Sequence, residues 1–237
     1  MMTSIRDIVI SLLMRTILFF MVGAGFVGIL ALLGSEQPLK EAEKWWPFQA
    51  IIANIVTFFI LRYLIHKDGL SYRSIIGIES FKKIFRQFLL LLVMGFLLAG
   101  IPLSLFSFVF LSSWIPPELM FQPLPIWAAV IALILFPVSN SLVETPTYIG
   151  YALPKLKKQT GSVWLAIIVA GLALALQHIA LPLVFDIPYM LWRFVGFIPL
   201  AIALGFIFNK TNRLFPIILV HLLLDLQMVV QVFMNSI

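Results

Sequence analysis

Seven long apolar stretches dominate this sequence and limit what it can fold into. They run over Ile8–Leu33, Pro47–Ile65, Phe88–Leu111, Ile126–Leu153, Val163–Phe185, Tyr189–Phe208 and Leu214–Met234. Each is close to the roughly 20 residues that an α-helix needs to cross the hydrocarbon core of a bilayer. Backbone amides must be satisfied within lipid, which favours helices for such stretches. We therefore expect an all-α polytopic membrane protein, a bundle of about seven transmembrane helices, with eight as the alternative count.

The composition agrees with this fold class. Hydrophobic residues make up 62% of the chain and charged residues 11%, against about 45–50% and about 25% in soluble domains. No polar linker divides the sequence, so we expect a single membrane domain over residues 1–237. The absence of cysteine excludes disulfides, thiol catalysis and cysteine-based metal sites.

Lysine and arginine are distributed unevenly among the connecting segments. Most of them lie at the N-terminus and after the second, fourth and sixth stretches, whereas Ser112–Pro125 contains none. Positive charge accumulates on the cytoplasmic side of a membrane, so we predict a cytoplasmic N-terminus and an external C-terminus. This asymmetry accounts for the net charge of +6, and no nucleic-acid partner is expected. We expect Arg15 to reach the interface along its aliphatic stem and Arg193 to lie on the outer side.

Four acidic or histidine residues lie inside the fourth, fifth and seventh stretches. Glu144 is in the fourth, His178 in the fifth, and His221 and Asp225 are in the seventh. A charged group at the centre of a spanning helix costs roughly 2.5–3.5 kcal/mol, so such groups need one another or a watery cavity. Glu144 and His221 each lie eleven residues from a lysine at the predicted cytoplasmic margin. We expect Glu144, His178 and His221 to converge on one water-accessible cavity near mid-bilayer; the alternative is that they only join helices by hydrogen bonds.

Three chemistries fit such a set of residues. An acid and imidazoles can activate water and stabilise an oxyanion, as peptide hydrolysis requires. Glu144, His178 and His221 also match a His₂Glu zinc site, although no His-Glu-x-x-His segment is present, and we favour the metal-free hypothesis. A small transporter that relays protons is the third hypothesis, and it is disfavoured because the chain has no repeated halves.

Three segments carry a resemblance to a known family. They are the stretch ETPTYIGYALPKL that begins at Glu144, the segment LALQH that ends at His178, and HLLLD from His221 to Asp225. In order and spacing they resemble the motifs of the CPBP family, the CAAX-prenyl-protease and bacteriocin-processing (Abi) intramembrane proteases. That family carries Glu-Glu-x-x-x-Arg, then an apolar residue followed by x-x-x-His, then His-x-x-x-Asn/Asp. The resemblance covers about residues 139–227 and implies a catalytic core over about residues 126–234.

The resemblance implies an intramembrane endopeptidase of a bacterial cytoplasmic membrane that needs no cofactor. Its substrates would be membrane-bound peptides or lipidated protein C-termini, as in bacteriocin processing or immunity. Glu144 would be the general base and His178 its partner, while His221 would stabilise the oxyanion. Asp225 occupies the Asn/Asp position of the third motif and would be the fourth catalytic residue, either as a protonated donor or by orienting His221. The alternative is a catalytically impaired scaffold that binds a partner membrane protein.

The first motif departs from the family pattern at two positions. Thr145 stands where the family has its second Glu, and Ile149 stands where it has Arg. A Glu and an Arg four residues apart can pair on a helix. Because both are absent together, no unpaired charge remains, and we interpret the double change as a compensated substitution.

We predict that Asp225→Asn preserves or improves turnover and that Asp225→Leu impairs it. The family accepts either polar residue here, and an amide can donate to an oxyanion where an ionised carboxylate only accepts. Peptidase assays on the two purified variants check this. If Asn abolishes turnover, the negative charge itself is essential.

Overall fold

The chain is a bundle of long α-helices. The computed structural model describes residues 4–237; it is 84% helical and has no strand in that range. The α-helices are α1 Ile5–Leu32, α2 Pro38–Lys44, α3 Trp46–Lys67, α4 Tyr72–Ile76, α5 Phe81–Leu111, α6 Ile126–Thr145, α7 Leu153–Thr160, α8 Val163–Leu176, α9 Ile187–Thr211 and α10 Phe215–Ser236. Turns of 3-10 helix lie at Glu118–Phe121 and Gln177–Ala180, and the π-helical segment Pro146–Ala152 joins α6 to α7.

Seven helical units among residues 4–237 are long and apolar enough to cross a membrane. They are α1, α3, α5, the continuous unit Ile126–Thr160, the unit Val163–Ala180, α9 and α10. Large apolar side chains face outward along them, for example Leu90, Ile101 and Val109 of α5, as expected of helices that face lipid. The predicted fold class of an all-α membrane bundle is therefore confirmed, with seven as the number of spans.

The observed helix ends differ from the predicted ones where polar residues continue a helix. α5 begins at Phe81, so residues 81–87 are part of the third spanning helix. The fourth unit continues through three lysines to Thr160. Hydropathy marks only the part of a helix that lies in hydrocarbon, so it misses such extensions. The fifth unit ends earlier than predicted, at Ala180, and Pro182 follows closely and cannot donate a backbone hydrogen bond.

A tight turn reverses the chain between α7 and α8. Gly161 adopts a left-handed conformation (φ 69°) after the last residue of α7, which glycine adopts without steric cost. The Ser162 side chain then accepts a hydrogen bond from the backbone N–H of Leu165, at 3.2 Å, and caps α8. The two helices pack against each other. The fourth and fifth spanning units are therefore antiparallel neighbours, so polar residues near their middles can meet.

Two buried apolar clusters lie on either side of a polar level in the bundle. Tyr148, Leu174 and Val220 belong to one cluster, and Phe136, Ala180 and Val229 belong to the other. On α6, on the unit containing α8, and on α10, the polar candidates lie in sequence between the two clusters. Arg15 of α1 lies in the same way between Ile8 of the first cluster and Phe19 of the second.

Candidate active site

The polar groups at this level form one connected layer across five spanning units. We call it the polar layer; hydrogen bonds and ion pairs join Arg15, Asn54, Asn140, Glu144, Thr145, Gln177, His221 and Asp225, and the layer also includes His178, which follows Gln177 in the chain. All of these side chains are buried except those of the two histidines, which are partly exposed. Buried polar groups require hydrogen-bond partners, and the layer supplies most of them internally.

Glu144 is held between a fixed cation and an imidazole. Its Oε2 accepts hydrogen bonds from Nη2 of Arg15 at 3.3 Å and from Nδ2 of Asn140 at 3.4 Å. Its Oε1 lies 3.6 Å from Nε2 of His221. The side chain is 7% exposed, so little water is available to compensate its charge, and the guanidinium and amide take that place.

His221 is oriented from both ring nitrogens. Its Nε2 lies 3.3 Å from Oδ2 of Asp225, and its Nδ1 lies 2.8 Å from the Thr145 hydroxyl. Because Nε2 faces carboxylate oxygens, we assign a hydrogen to it. In the neutral ring Nδ1 then accepts a hydrogen bond from Thr145. His221 therefore presents an N–H toward Glu144 and Asp225.

His178 makes no hydrogen bond or ion pair with Glu144, His221 or Asp225. It occupies the 3-10 turn at the end of α8, and its Nδ1 donates to the backbone oxygen of Leu174 at 3.1 Å. Its ring stacks on Phe197 with the centroids 3.7 Å apart. Because Nδ1–H is used in this way, Nε2 of the neutral ring is the free acceptor. The structure therefore brings Glu144, His221 and Asp225 into contact, and His178 directly follows Gln177, which joins the same network through Arg15.

Arg193 holds the turn that carries His178. It is 4% exposed and lies within α9, inside the predicted apolar stretch Tyr189–Phe208. Its Nε donates to the backbone oxygen of His178 at 3.4 Å, and its Nη2 donates to that of Leu181 at 3.1 Å. These carbonyls follow the end of α8, where a cation is stabilising. Arg193 thus fixes the backbone of the His178 turn.

Arg15 is the residue that the sequence interpretation placed wrongly. We expected it to reach the membrane interface, but it is completely buried. Its Nε donates to Gln177 at 2.6 Å, its Nη1 to Asn54 at 2.5 Å, and its Nη2 to Asn140 at 2.8 Å as well as to Glu144. One guanidinium therefore connects α1 with α3, α6 and the turn after α8.

Asn140 was also missed by sequence reasoning. Its Oδ1 accepts from Arg15 at 2.8 Å and from Nδ2 of Asn54 at 3.3 Å. Because both of these neighbours are donors, the amide orientation is determined, and Nδ2 must point the other way. Nδ2 lies 3.0 Å from Oδ2 of Asp225 and 3.4 Å from Nε2 of His221. Its position four residues before Glu144 was the available signal, since such residues share a helix face.

The two altered motif positions have different environments. Thr145 contacts the site through its hydroxyl bond to His221. Ile149 is fully buried in the apolar cluster that includes Tyr148 and Leu174. The cation beside Glu144 is instead Arg15, which comes from a different helix.

The zinc alternative gains no support from the described residues. Among residues 4–237, no group of three or more His, Asp or Glu side chains lies in an arrangement that could hold a metal ion.

Comparison with known families supports the resemblance drawn from the motifs. Residues 125–227 match the model of the family described as Rce1-like, the type II CAAX prenyl endopeptidases, which confirms the predicted similarity. The matched region contains Glu144, His178, His221 and Asp225, whereas Arg15 and Asn54 lie outside it. Searches of curated proteins and of solved structures gave no match.

We predict that Arg15→Met strongly destabilises the fold. The change removes the donors to Asn54, Asn140 and Gln177 and leaves Glu144 without its cation, a loss of about 3–5 kcal/mol for a broken buried pair. Unfolding of the detergent-solubilised protein measures the loss. Arg62→Met is the matched control, because Arg62 lies on α3 with an exposed side chain. Equal stability of the two variants would contradict the role of Arg15.

Proposed function

We propose that this chain is an intramembrane endopeptidase that hydrolyses a peptide bond in membrane-associated peptides or lipid-modified protein C-termini. The matched family is one of proteases, and the polar layer offers an acid, two imidazoles and an amide within an apolar bundle. The observation that carries the proposal is the position of Glu144, with Arg15 on one side and His221 on the other. A carboxylate held in this way, with an N–H donor beside it, is equipped for attack by water on a carbonyl.

The proposed reaction uses the residues as follows. A water between Glu144 and Nε2 of His178 loses a proton to Glu144, and its oxygen forms a bond to the carbonyl carbon of the substrate. The carbonyl π electrons move to oxygen, and Nε2–H of His221 donates to the resulting oxyanion. When the C=O bond re-forms, the C–N bond breaks, and the proton held by Glu144 passes to the leaving nitrogen.

The surroundings of the polar layer suit a lipid-linked substrate. Apolar clusters lie on both sides of it, so a substrate with a hydrophobic anchor would present its peptide bond at the depth of the acid. We propose the bacterial cytoplasmic membrane as the location, with the N-terminus cytoplasmic and the C-terminus outside. The chain would act there on a membrane-bound peptide, or on a lipidated C-terminus, within the bilayer.

A scaffold that binds a partner membrane protein without cleaving it is the second candidate. The departures at Thr145 and Ile149 favour it. The contacts of Arg15 weaken this argument, because a cation stands beside Glu144 in spite of Ile149. Cleavage of a peptide by the purified protein separates the two candidates.

We predict that Glu144→Gln abolishes turnover of a quenched fluorogenic peptide with a farnesylated cysteine three residues before its C-terminus, assayed in proteoliposomes. Loss of the general base removes about 10²–10⁴ in rate. Glu43→Gln is the matched control, since Glu43 is also a buried acid but lies on α2 outside the spanning helices. A Glu144→Gln variant that cleaves as fast as wild type, or a wild type that binds the peptide without cleaving it, refutes the proposed reaction.

We predict that turnover survives metal removal. Treatment of the purified protein with 1,10-phenanthroline or EDTA leaves the rate unchanged if Glu144 and His178 activate water by themselves. Elemental analysis of the same sample gives the metal content. Stoichiometric zinc that is lost together with activity, and activity that returns when zinc is added, would establish the zinc alternative.

A further inference from the structure

The third motif lacks the neutral donor that an oxyanion site normally uses. Asp225 stands at the position where the resemblance allows asparagine, and its Oδ2 already accepts from Nδ2 of Asn140 and faces Nε2 of His221. An ionised carboxylate has no hydrogen to donate. His221 therefore needs a second donor from elsewhere if the oxyanion is to receive two hydrogen bonds.

We propose that Asn140 is this second donor and therefore a catalytic residue of the site. Its neighbour Asp225 does not donate to the oxyanion. This inference rests on the proposed function. Asn140 is 5% exposed, and its Nδ2 lies 3.4 Å from Nε2 of His221. An oxyanion takes hydrogen bonds from donors at about 2.7–3.1 Å, so two nitrogens at this separation can both reach one oxygen atom.

The Asn140 side-chain amide is oriented by residues that do not contact the reacting atoms. Arg15 and Asn54 both donate to Oδ1 of Asn140, so Nδ2 faces the acids and His221. A donor whose direction is fixed before the reaction needs no reorganisation when charge develops. Arg15 and Asn54 are accordingly positioning residues for Asn140, and both come from the part of the chain outside the family match.

The resting hydrogen bonds of Asn140 allow one N–H to change partner during the reaction. The bond to Asp225 is 3.0 Å and the bond to Glu144 is longer, at 3.4 Å. Protonation of Glu144 by the attacking water removes the charge that attracts this second N–H. Negative charge develops on the carbonyl oxygen in the same step, so the N–H gains a new acceptor as it loses the old one.

We predict that Asn140→Ala lowers kcat by about 10²–10³-fold, the usual effect of losing one oxyanion donor, with little change in KM. Gln49→Ala is the matched control: Gln49 is a fully buried amide of α3 that donates to the backbone oxygen of Ala42, outside the polar layer. The fluorogenic farnesylated peptide is the substrate, and thermal unfolding shows that each variant is folded.

A reciprocal exchange then tests whether the amide itself is required. Asn140→Asp places a second carboxylate against Asp225, and we expect its kcat to be as low as that of Asn140→Ala or lower. The double variant Asn140→Asp/Asp225→Asn restores one amide and one acid to the pair, and we expect at least a tenfold recovery of kcat over Asn140→Asp.

The outcomes separate this inference from the proposed function. An active wild type with inactive Glu144→Gln, together with Asn140→Ala within threefold of the wild-type kcat, overturns the role of Asn140 alone. A folded exchange variant as slow as Asn140→Asp also overturns it. A wild type that does not cleave the peptide overturns both proposals.

Discussion

The polar layer depends on the burial of one guanidinium. Arg15 is completely shielded from solvent and donates to Gln177, Asn54, Asn140 and Glu144. An ionised group in an apolar interior is stable only when its charge and its hydrogen-bonding capacity are both satisfied. These partners lie on α3, on α6 and in the turn after α8, so α1 cannot move relative to those helices without breaking the contacts. The N-terminal helices therefore complete the site that the family-matched region begins.

The spanning helices were predictable because the thickness of the bilayer sets a length that hydropathy can detect. Ile126 begins α6 as predicted, and the ends of α1, α3, α9 and α10 lie within a few residues of expectation. The helical extensions at Phe81 and Thr160 were not predictable in this way, because they contain lysines and lie beyond the apolar run. The short helices α2 and α4 lie between spans, where hydropathy carries no information.

The sequence predicted only those residues of the candidate site that are single ionisable groups in otherwise apolar helices. Glu144, His221 and Asp225 are rare residue types for apolar helices, and the structure places them in contact. Asn54, Asn140 and Gln177 are neutral, and a single amide in a spanning helix is a weak signal. Arg15 was assigned to the interface because it lies near the start of its apolar run, yet α1 begins at Ile5 and is 28 residues long. Which way such a side chain points depends on its neighbours, and these are contributed by distant parts of the sequence.

The chemical groups of the family motifs recur here at different positions. Those motifs contain two acids, an arginine, two histidines and an asparagine or aspartate, and the polar layer contains Glu144, Asp225, Arg15, His178, His221 and Asn140. The arginine comes from α1, whereas the family pattern would place it at Ile149 of the π-helical segment. The amide lies on α6 and the second acid on α10. The contacts in the polar layer form between helices. The site therefore requires that these groups lie at the same depth in the bundle, whichever helix carries each of them. Arg15 of another helix stands beside Glu144, so this acid has a cationic partner although Ile149 is apolar.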